Sequence, residues 1–219
     1  MSFDFRRSTP IVLVALLLSA GLSACAPMLV GGAIMTGMSA ADRRTLGSQI
    51  EDEGIELRAA NRIKEHLGER VHINVTSFNR QVLLTGEVPS EQDKQLAEQV
   101  VSRVENVRSI INDLAVLGHS TLTQRSSDAL VTGQVKAGLV DAKDLSVSAF
   151  KVVTERGTTY LLGRVTTREA DRGTEIARNT SGVQKVVKLF EVITEEELQR
   201  MLAKPAPAGS TPPAGNKPM

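Results

Sequence analysis

An internal repeat is the feature that most limits how this sequence can fold. The segment Gln81–Val88 (QVLLTGEV) recurs 77 residues later as Thr158–Val165 (TTYLLGRV), so that Gly86 matches Gly163. Apolar residues on both sides of this segment recur in the same order and with the same spacing: Ile55, Ala59 and Ile63 with Val131, Val135 and Leu139, and Val107 and Ile110 with Val183 and Val186. A repeat of this length indicates two copies of one small domain.

Each copy has the pattern of an α+β domain, in the order helix, strand, strand, helix, strand (αββαβ). Apolar residues at i, i+4 and i+8 from Ile55 and from Val131 predict the first helix of each copy, and Asp128 is placed to cap or lead the second of these. Alternating residues predict the strands, and Ser or Thr followed by an acid marks each second helix. We therefore expect two helices packed on a three-stranded sheet in each copy, with the last strand at 107–117 or 183–193.

Gly86 and Gly163 lie inside predicted strands, where glycine usually marks a bulge or the close approach of another backbone. We expect a helix to cross the sheet at this point. The glycines are therefore interpreted as packing residues and not as a phosphate-binding loop.

The repeat sets the domain boundaries. The first copy is predicted at 51–117 and the second at 128–193, with a polar linker at 118–127 between them. A domain of about 65 residues buries only about 60% of its unfolded surface, so we expect the copies to pack on each other or on the preceding stem. Thr194 is expected to cap a short helix, and the rest of 194–219 forms a tail with five prolines after Lys204.

The N-terminal residues have the order of an export signal. Arg6 and Arg7 precede the apolar run Ile11–Leu18, which is too short to span a bilayer, and small residues follow. The only cysteine in the sequence ends the stretch Leu22–Cys25, which has the letters LSAC. This stretch resembles the lipobox of bacterial lipoproteins, which implies that residues 1–24 are removed and that Cys25 is lipidated. The alternative is an ordinary signal peptide with a cysteine nearby.

The lipobox resemblance also implies where the protein resides. Residues 25–50 then form a lipidated, membrane-proximal tether, and two or three acyl chains hold a protein firmly on a membrane. In lipoproteins of this kind an Asp after the cysteine retains the protein on the inner membrane, and here that residue is Ala26. The expected location is therefore the outer membrane, with the folded part facing the periplasm.

Composition and motifs exclude several classes of function. Without residues 1–24 the chain carries 24 basic and 24 acidic residues, which predicts no nucleic-acid partner. A single cysteine permits neither an intramolecular disulfide nor a thiolate zinc site. His66, His72 and His119 lack the spacing of metal ligands, and His72 is expected to face solvent on its strand. No nucleotide or hydrolase motif is present, so we expect neither an enzyme nor a cofactor or metal site.

The repeated segments resemble the BON domain, a bacterial periplasmic module with an αββαβ pattern and a glycine after the second strand. The motifs that carry the resemblance are 42–47 (DRRTLG), 82–86 (VLLTG) and 161–170 (LLGRVTTREA). Two such domains behind a lipobox resemble the DolP-type lipoproteins of the outer membrane. The resemblance implies a non-enzymatic protein that binds phospholipid, chiefly through its second domain, and supports outer-membrane integrity.

Charge distribution agrees with that implication. Residues 51–117 carry 8 basic and 12 acidic side chains, whereas residues 128–190 carry 10 basic and 7 acidic ones. We therefore predict that the second copy binds anionic phospholipid, either phosphatidylglycerol or cardiolipin. The candidate lipid-binding residues are Leu130, Gln134, Lys136 and Lys143. Val131, Val135 and Leu139 are better explained as core residues of the same helix.

Two other functions can be weighed against lipid binding, and the sequence disfavours the second of them. A tethered scaffold could recognise an envelope protein, in an assembly or division complex, through an exposed sheet edge. A cell-wall hydrolase is disfavoured, because no carboxylate stands in the apolar setting that raises the pKa of a catalytic acid.

Overall fold

A computed structural model describes residues 43–203, and these residues contain both repeated domains. The first domain runs in the order α1 (Leu46–Leu67), β1 (His72–Phe78), β2 (Gln81–Val88), α2 (Glu91–Val101), β3 (Ser109–Asn112) and β4 (Ala115–Val116). The second domain runs in the order α3 (Leu122–Asp141), β5 (Phe150–Glu155), β6 (Thr158–Thr166), α4 (Thr167–Arg178) and β7 (Lys185–Ile193). The short helix α5 (Glu195–Leu202) follows. The αββαβ order predicted for each copy is confirmed.

Each domain forms one mixed sheet around a central second strand. In the first domain β2 pairs antiparallel with β1 and parallel with β3 and β4. In the second domain β6 pairs antiparallel with β5 and parallel with β7. The predicted last strand of the first copy is therefore interrupted, since β3 and β4 are separated at Asp113 and Leu114. Leu114 turns into the core at this break, and Asp113 accepts a hydrogen bond from the Tyr160 hydroxyl of the second domain at 2.7 Å.

Both first helices begin earlier than the sequence predicts. Thr45 caps α1 and Thr121 caps α3, each accepting a hydrogen bond from a backbone N–H three residues later. Residues 46–50 of the predicted tether and residues 122–127 of the predicted linker are therefore helical. The prediction that Asp128 caps α3 is wrong, because Asp128 lies in the second turn of that helix and is buried.

The true role of Asp128 is to hold the turn between β5 and β6. Its carboxylate accepts hydrogen bonds from the backbone N–H groups of Arg156 and Gly157 at 2.8 and 2.9 Å. Asp52 does the same in the first domain, where it accepts from the N–H groups of Asn79 and Arg80, both at 2.8 Å. All four turn residues have positive φ, as two-residue hairpin turns require. A buried carboxylate therefore fastens each hairpin to the first helix of its domain.

The two domains pack on each other through the faces of their sheets that lie away from their own helices. Each domain has its own aliphatic core between helices and sheet. A third apolar cluster joins the two sheets; its buried members are Phe78, Leu83, Tyr160 and Leu162. Strands β2 and β6 are consequently buried on both faces. Of the two packing arrangements that the size of the domains left open, the described residues show packing between the copies, and Arg43 of the predicted tether also pairs with Glu169 of the second domain.

Close backbone contact explains the two strand glycines, but the contact is not with a helix. A Cβ atom added at Gly86 would lie 2.1 Å from the carbonyl oxygen of His72, and one added at Gly163 would lie 2.3 Å from that of Ala149. Both oxygens belong to residues at the start of the neighbouring strand. The expected helix crossing is wrong, and the edge of the adjacent strand takes its place.

We predict that Gly86→Ala lowers the free energy of unfolding by about 3 kcal/mol, because it adds a backbone clash to a left-handed conformation. Gly86 has φ of +114°, which L-residues rarely adopt. Urea unfolding followed by circular dichroism measures the change. Gly133→Ala is the control, since an added Cβ there meets nothing within 4 Å and alanine favours the helix. Equal stability of the two variants would contradict this account.

Candidate functional site

The outward face of α3 is apolar over most of its length. Leu122, Leu130 and Val140 are large apolar residues exposed there, with Leu130 69% exposed. Helical geometry places small residues between them on the same face; these are the polar Ser126 and the apolar Ala129, Gly133 and Ala137, all exposed. We call the six apolar residues, without Ser126, the α3 strip. It extends over about 27 Å of helix.

Three of the four predicted lipid-binding residues belong to α3, and the fourth follows the helix in the sequence. Leu130 belongs to the α3 strip, and Gln134 and Lys136 are exposed on the same helix. Lys143 lies two residues past the end of α3 and is also exposed. Val131, Val135 and Leu139 face the core of the second domain, as expected. Cys25 lies outside the described residues.

Helix α1 carries exposed apolar residues too, but in a different electrostatic setting. Leu46, Ile50 and Leu57 are each more than 60% exposed. Acidic Glu51 and Glu53 lie among them on the same helix. The two equivalent helices therefore differ in charge rather than in the presence of exposed apolar side chains.

A polar cavity of about 290 Å³ lies beside the first half of α3. Its lining includes Ser127, Gly157 and Gly182. The repeat pairs these residues with Glu51, Arg80 and Asn106 of the first domain. There the longer side chains form hydrogen bonds: Arg80 Nε donates to the backbone carbonyl of Asn106, and Asn106 Nδ2 donates to Glu51 Oε1. Small residues therefore open a space in the second domain that the first domain fills.

A cluster of ionisable groups at the boundary between the domains was missed by sequence reasoning. His72 Nδ1 lies 2.9 Å from Glu87 Oε2, and Glu87 has no exposed surface. Glu155 of the second domain lies close to both, so that one ligand-type atom from each residue falls within 4.8 Å of the others. The prediction that His72 faces solvent is therefore wrong, because its side chain faces Glu87 and Glu155. The repeat gave no signal for this cluster, because its members come from three strands in two domains.

The pKa values of the two carboxylates in the cluster are shifted in opposite directions. Burial raises the pKa of Glu87, but hydrogen bonds from Ser120, His72 and Arg156 outweigh burial and leave that pKa lowered. Burial raises the pKa of Glu155, and the nearby charge of Glu87 adds to the increase, against a lowering hydrogen bond from Asn74. The raised pKa of Glu155 arises among polar and charged neighbours, and not in the apolar setting that is typical of a catalytic acid.

Within residues 43–203, none of the helices combines the length and the apolar character that crossing a bilayer demands.

Comparison with known proteins identifies the family. Residues 52–118 and 127–194 each match the BON domain. The chain is 33% identical over 189 residues to outer membrane lipoprotein DolP of Haemophilus influenzae, covering 84% of this chain and 98% of that protein. It is 32% identical over 154 residues to the 21 kDa hemolysin of Actinobacillus pleuropneumoniae, covering 69% and 79% respectively. The chain belongs to the BON-domain family and is a dual BON-domain protein of the DolP type.

Proposed function

We propose that this protein is a lipid-anchored, non-enzymatic protein of the outer membrane whose second BON domain binds anionic phospholipid through the α3 strip. The observation that carries the proposal is the strip itself, an exposed apolar face on a helix that the rest of the domain leaves unpartnered among the described residues. Binding of this kind supports the integrity of the outer membrane from its periplasmic side.

The composition of the strip suits a helix lying at a bilayer surface. Leu122, Leu130 and Val140 supply apolar side chains, and full burial of one such side chain contributes about 2 kcal/mol. Ala129, Gly133 and Ala137 are short, so the helix backbone can approach the headgroup region closely. An interfacial helix combines an apolar face of this kind with basic flanks.

Charge favours the second domain over the first as the lipid-binding one. Residues 128–190 carry a net charge of +3 and residues 51–117 carry −4. Lys136 is exposed on α3, and Lys143 is exposed two residues past the end of the helix. Each basic residue near an anionic surface contributes about 1 kcal/mol.

The anchor and the location rest on the N-terminal sequence and on the relatives. The stretch Leu22–Cys25 resembles a lipobox, and a relative that spans nearly the whole chain is named an outer membrane lipoprotein. Acylation of Cys25 would keep α3 near the membrane, so that the strip needs only modest affinity of its own.

Flotation of a chain of residues 38–219 with lipid vesicles tests the proposal. This chain lacks Cys25 and keeps both domains; the second domain alone would expose the apolar cluster around Tyr160 and Leu162 and bind lipid for the wrong reason. We expect binding to vesicles containing phosphatidylglycerol or cardiolipin and little binding to purely zwitterionic vesicles. Leu130→Glu should weaken binding more than tenfold, and Lys136→Ala about fivefold.

Leu57→Glu is the matched control, because Leu57 on α1 is 64% exposed, nearly as much as Leu130. It should leave vesicle binding unchanged. If Leu57→Glu and Leu130→Glu weaken binding equally, α3 is not the lipid-binding face. If neutral and anionic vesicles bind equally well, the electrostatic part of the proposal is wrong.

The sheet edges bear on the alternative of a protein scaffold. Strand β7 pairs only with β6 among the described strands, so its other edge is open. Lys185 and Lys188 are exposed on this strand, and lysine is a common protection of edges against added strands. Recognition of an envelope protein through β7 is therefore less favoured than lipid binding through α3.

A further inference from the structure

We propose that His72, Glu87 and Glu155 form a zinc site that links the two BON domains. One ligand-type atom from each residue lies within 4.8 Å of the corresponding atoms of the other two. His72 and Glu87 face each other across β1 and β2 of the first domain, whereas Glu155 ends β5 of the second. A cation held by all three would therefore bind both sheets.

The donor set selects the metal. Zinc is commonly held by imidazole nitrogen together with carboxylate oxygen, in sites with three protein ligands and a water molecule. Magnesium and calcium prefer oxygen donors alone, so the imidazole of His72 disfavours them. A neutral imidazole keeps a lone pair on one nitrogen while the other donates a hydrogen bond. His72 Nδ1 would therefore ligate the metal in place of its hydrogen bond with Glu87, while Nε2 would keep the proton.

The carboxylate of Glu87 is held in place by several partners. Its Oε2 atom accepts from the backbone N–H and the hydroxyl of Ser120, both at 3.2 Å, besides facing His72. Its Oε1 atom has a longer contact of 3.4 Å with the Arg156 guanidinium. Asn74 Nδ2 donates to Glu155 Oε2 at 2.8 Å. Such outer hydrogen bonds orient metal ligands before the metal binds.

An open cavity leads to the site. A space of about 240 Å³ is lined by both His72 and Glu155, together with Asp128. It provides an entry path for an ion and room for the water ligand that a site with three protein ligands requires.

The local charge also favours a divalent cation. With neutral imidazole, Glu87 and Glu155 contribute two negative charges, and Asp128 adds a third at the cavity wall. Arg125 lines the same cavity and Arg156 contacts Glu87, so two guanidinium groups offset only part of this charge. A zinc ion would neutralise the excess at a place where Glu87 has no access to solvent.

Thermal unfolding of the full-length protein in a non-ionic detergent, after removal of metals with a chelator, tests the site. Zinc chloride at 100 times the dissociation constant should raise Tm by about 5 °C, and titration calorimetry should give one ion per chain. Magnesium chloride should leave Tm unchanged. His72→Ala and Glu155→Gln should each weaken zinc binding at least tenfold.

His66→Ala and His119→Ala are the matched controls, since both histidines are exposed and lie outside the cluster. They should bind zinc as the unmodified protein does. Glu155→Gln keeps the size of the side chain, so it tests the site even if His72→Ala fails to fold. Unchanged Tm in zinc, or unchanged zinc affinity in Glu155→Gln, would overturn the proposal and leave the cluster as an ion-pair network that needs no metal.

Discussion

Asp52→Ala is expected to lower the free energy of unfolding by about 4 kcal/mol. The Asp52 carboxylate is 2% exposed and accepts four hydrogen bonds. Two come from the side chains of Arg44 and Ser77, at 2.8 and 2.7 Å, and two from the backbone N–H groups of Asn79 and Arg80. Alanine would leave all four donors without this acceptor. Two of these donors, the N–H groups of Asn79 and Arg80, belong to a turn whose residues already have positive φ.

Glu53→Ala is the control for this prediction, because Glu53 is the next residue of α1 and is exposed. It should change stability by no more than about 0.5 kcal/mol. Urea unfolding can be followed by circular dichroism and by the fluorescence of Tyr160, the only tyrosine in a sequence without tryptophan. Because Tyr160 lies in the interdomain cluster, its signal also reports separation of the domains. Similar unfolding energies for the two variants would contradict a structural role of Asp52.

The pattern of the sequence was sufficient to predict those parts of the fold that repeat with a regular period. Val131, Val135 and Leu139 recur every four residues, and all three lie in the core of the second domain. The same spacing leaves Leu130 on the opposite side of the helix, where it is exposed. Periodicity predicts such residues because helical geometry alone decides which way they face.

Contacts between residues far apart in the sequence could not be predicted in this way. Asp128 has the residue type of a helix cap, but its acceptor atoms are used by a turn 28 residues later. His72 has the alternation of an exposed strand residue, but its outward face meets the second domain. The periodicity of one strand carries no information on whether its outer face is covered by solvent or by the other copy of the domain.

The largest pH-dependent effect is expected at the ion pair between Arg43 and Glu169. Arg43 precedes α1, and its guanidinium donates to both carboxylate oxygens of Glu169 at 2.7 Å. The side chains are 6% and 3% exposed. Glu169 also accepts from the backbone N–H of Thr166, at the start of α4. This pair therefore attaches the chain before the first domain to the second domain.

Arg43→Ala should cost about 4 kcal/mol at pH 7, because it leaves the Glu169 carboxylate buried without its counter-charge. Arg168→Ala is the control: its side chain is 55% exposed, and its ion pairs are longer, so its loss should cost less than about 1 kcal/mol. Both values come from urea unfolding of the same chain.

The pH dependence of that cost separates an ion pair from simple packing. Burial raises the pKa of Glu169, but the hydrogen bond from Arg43 and that from the Thr166 backbone outweigh burial and leave the pKa lowered. A carboxyl whose pKa is lowered by folding contributes stability above its unfolded pKa and loses that contribution as pH falls through the folded pKa. In Arg43→Ala the buried Glu169 would instead gain a proton readily. The difference in unfolding energy between the two proteins should therefore be largest at pH 7 and shrink as pH falls, first through the higher pKa of Glu169 in Arg43→Ala and then through its lowered pKa in the unmodified protein. A difference that stays constant with pH would show that Arg43 stabilises the protein through contact area and not through its charge.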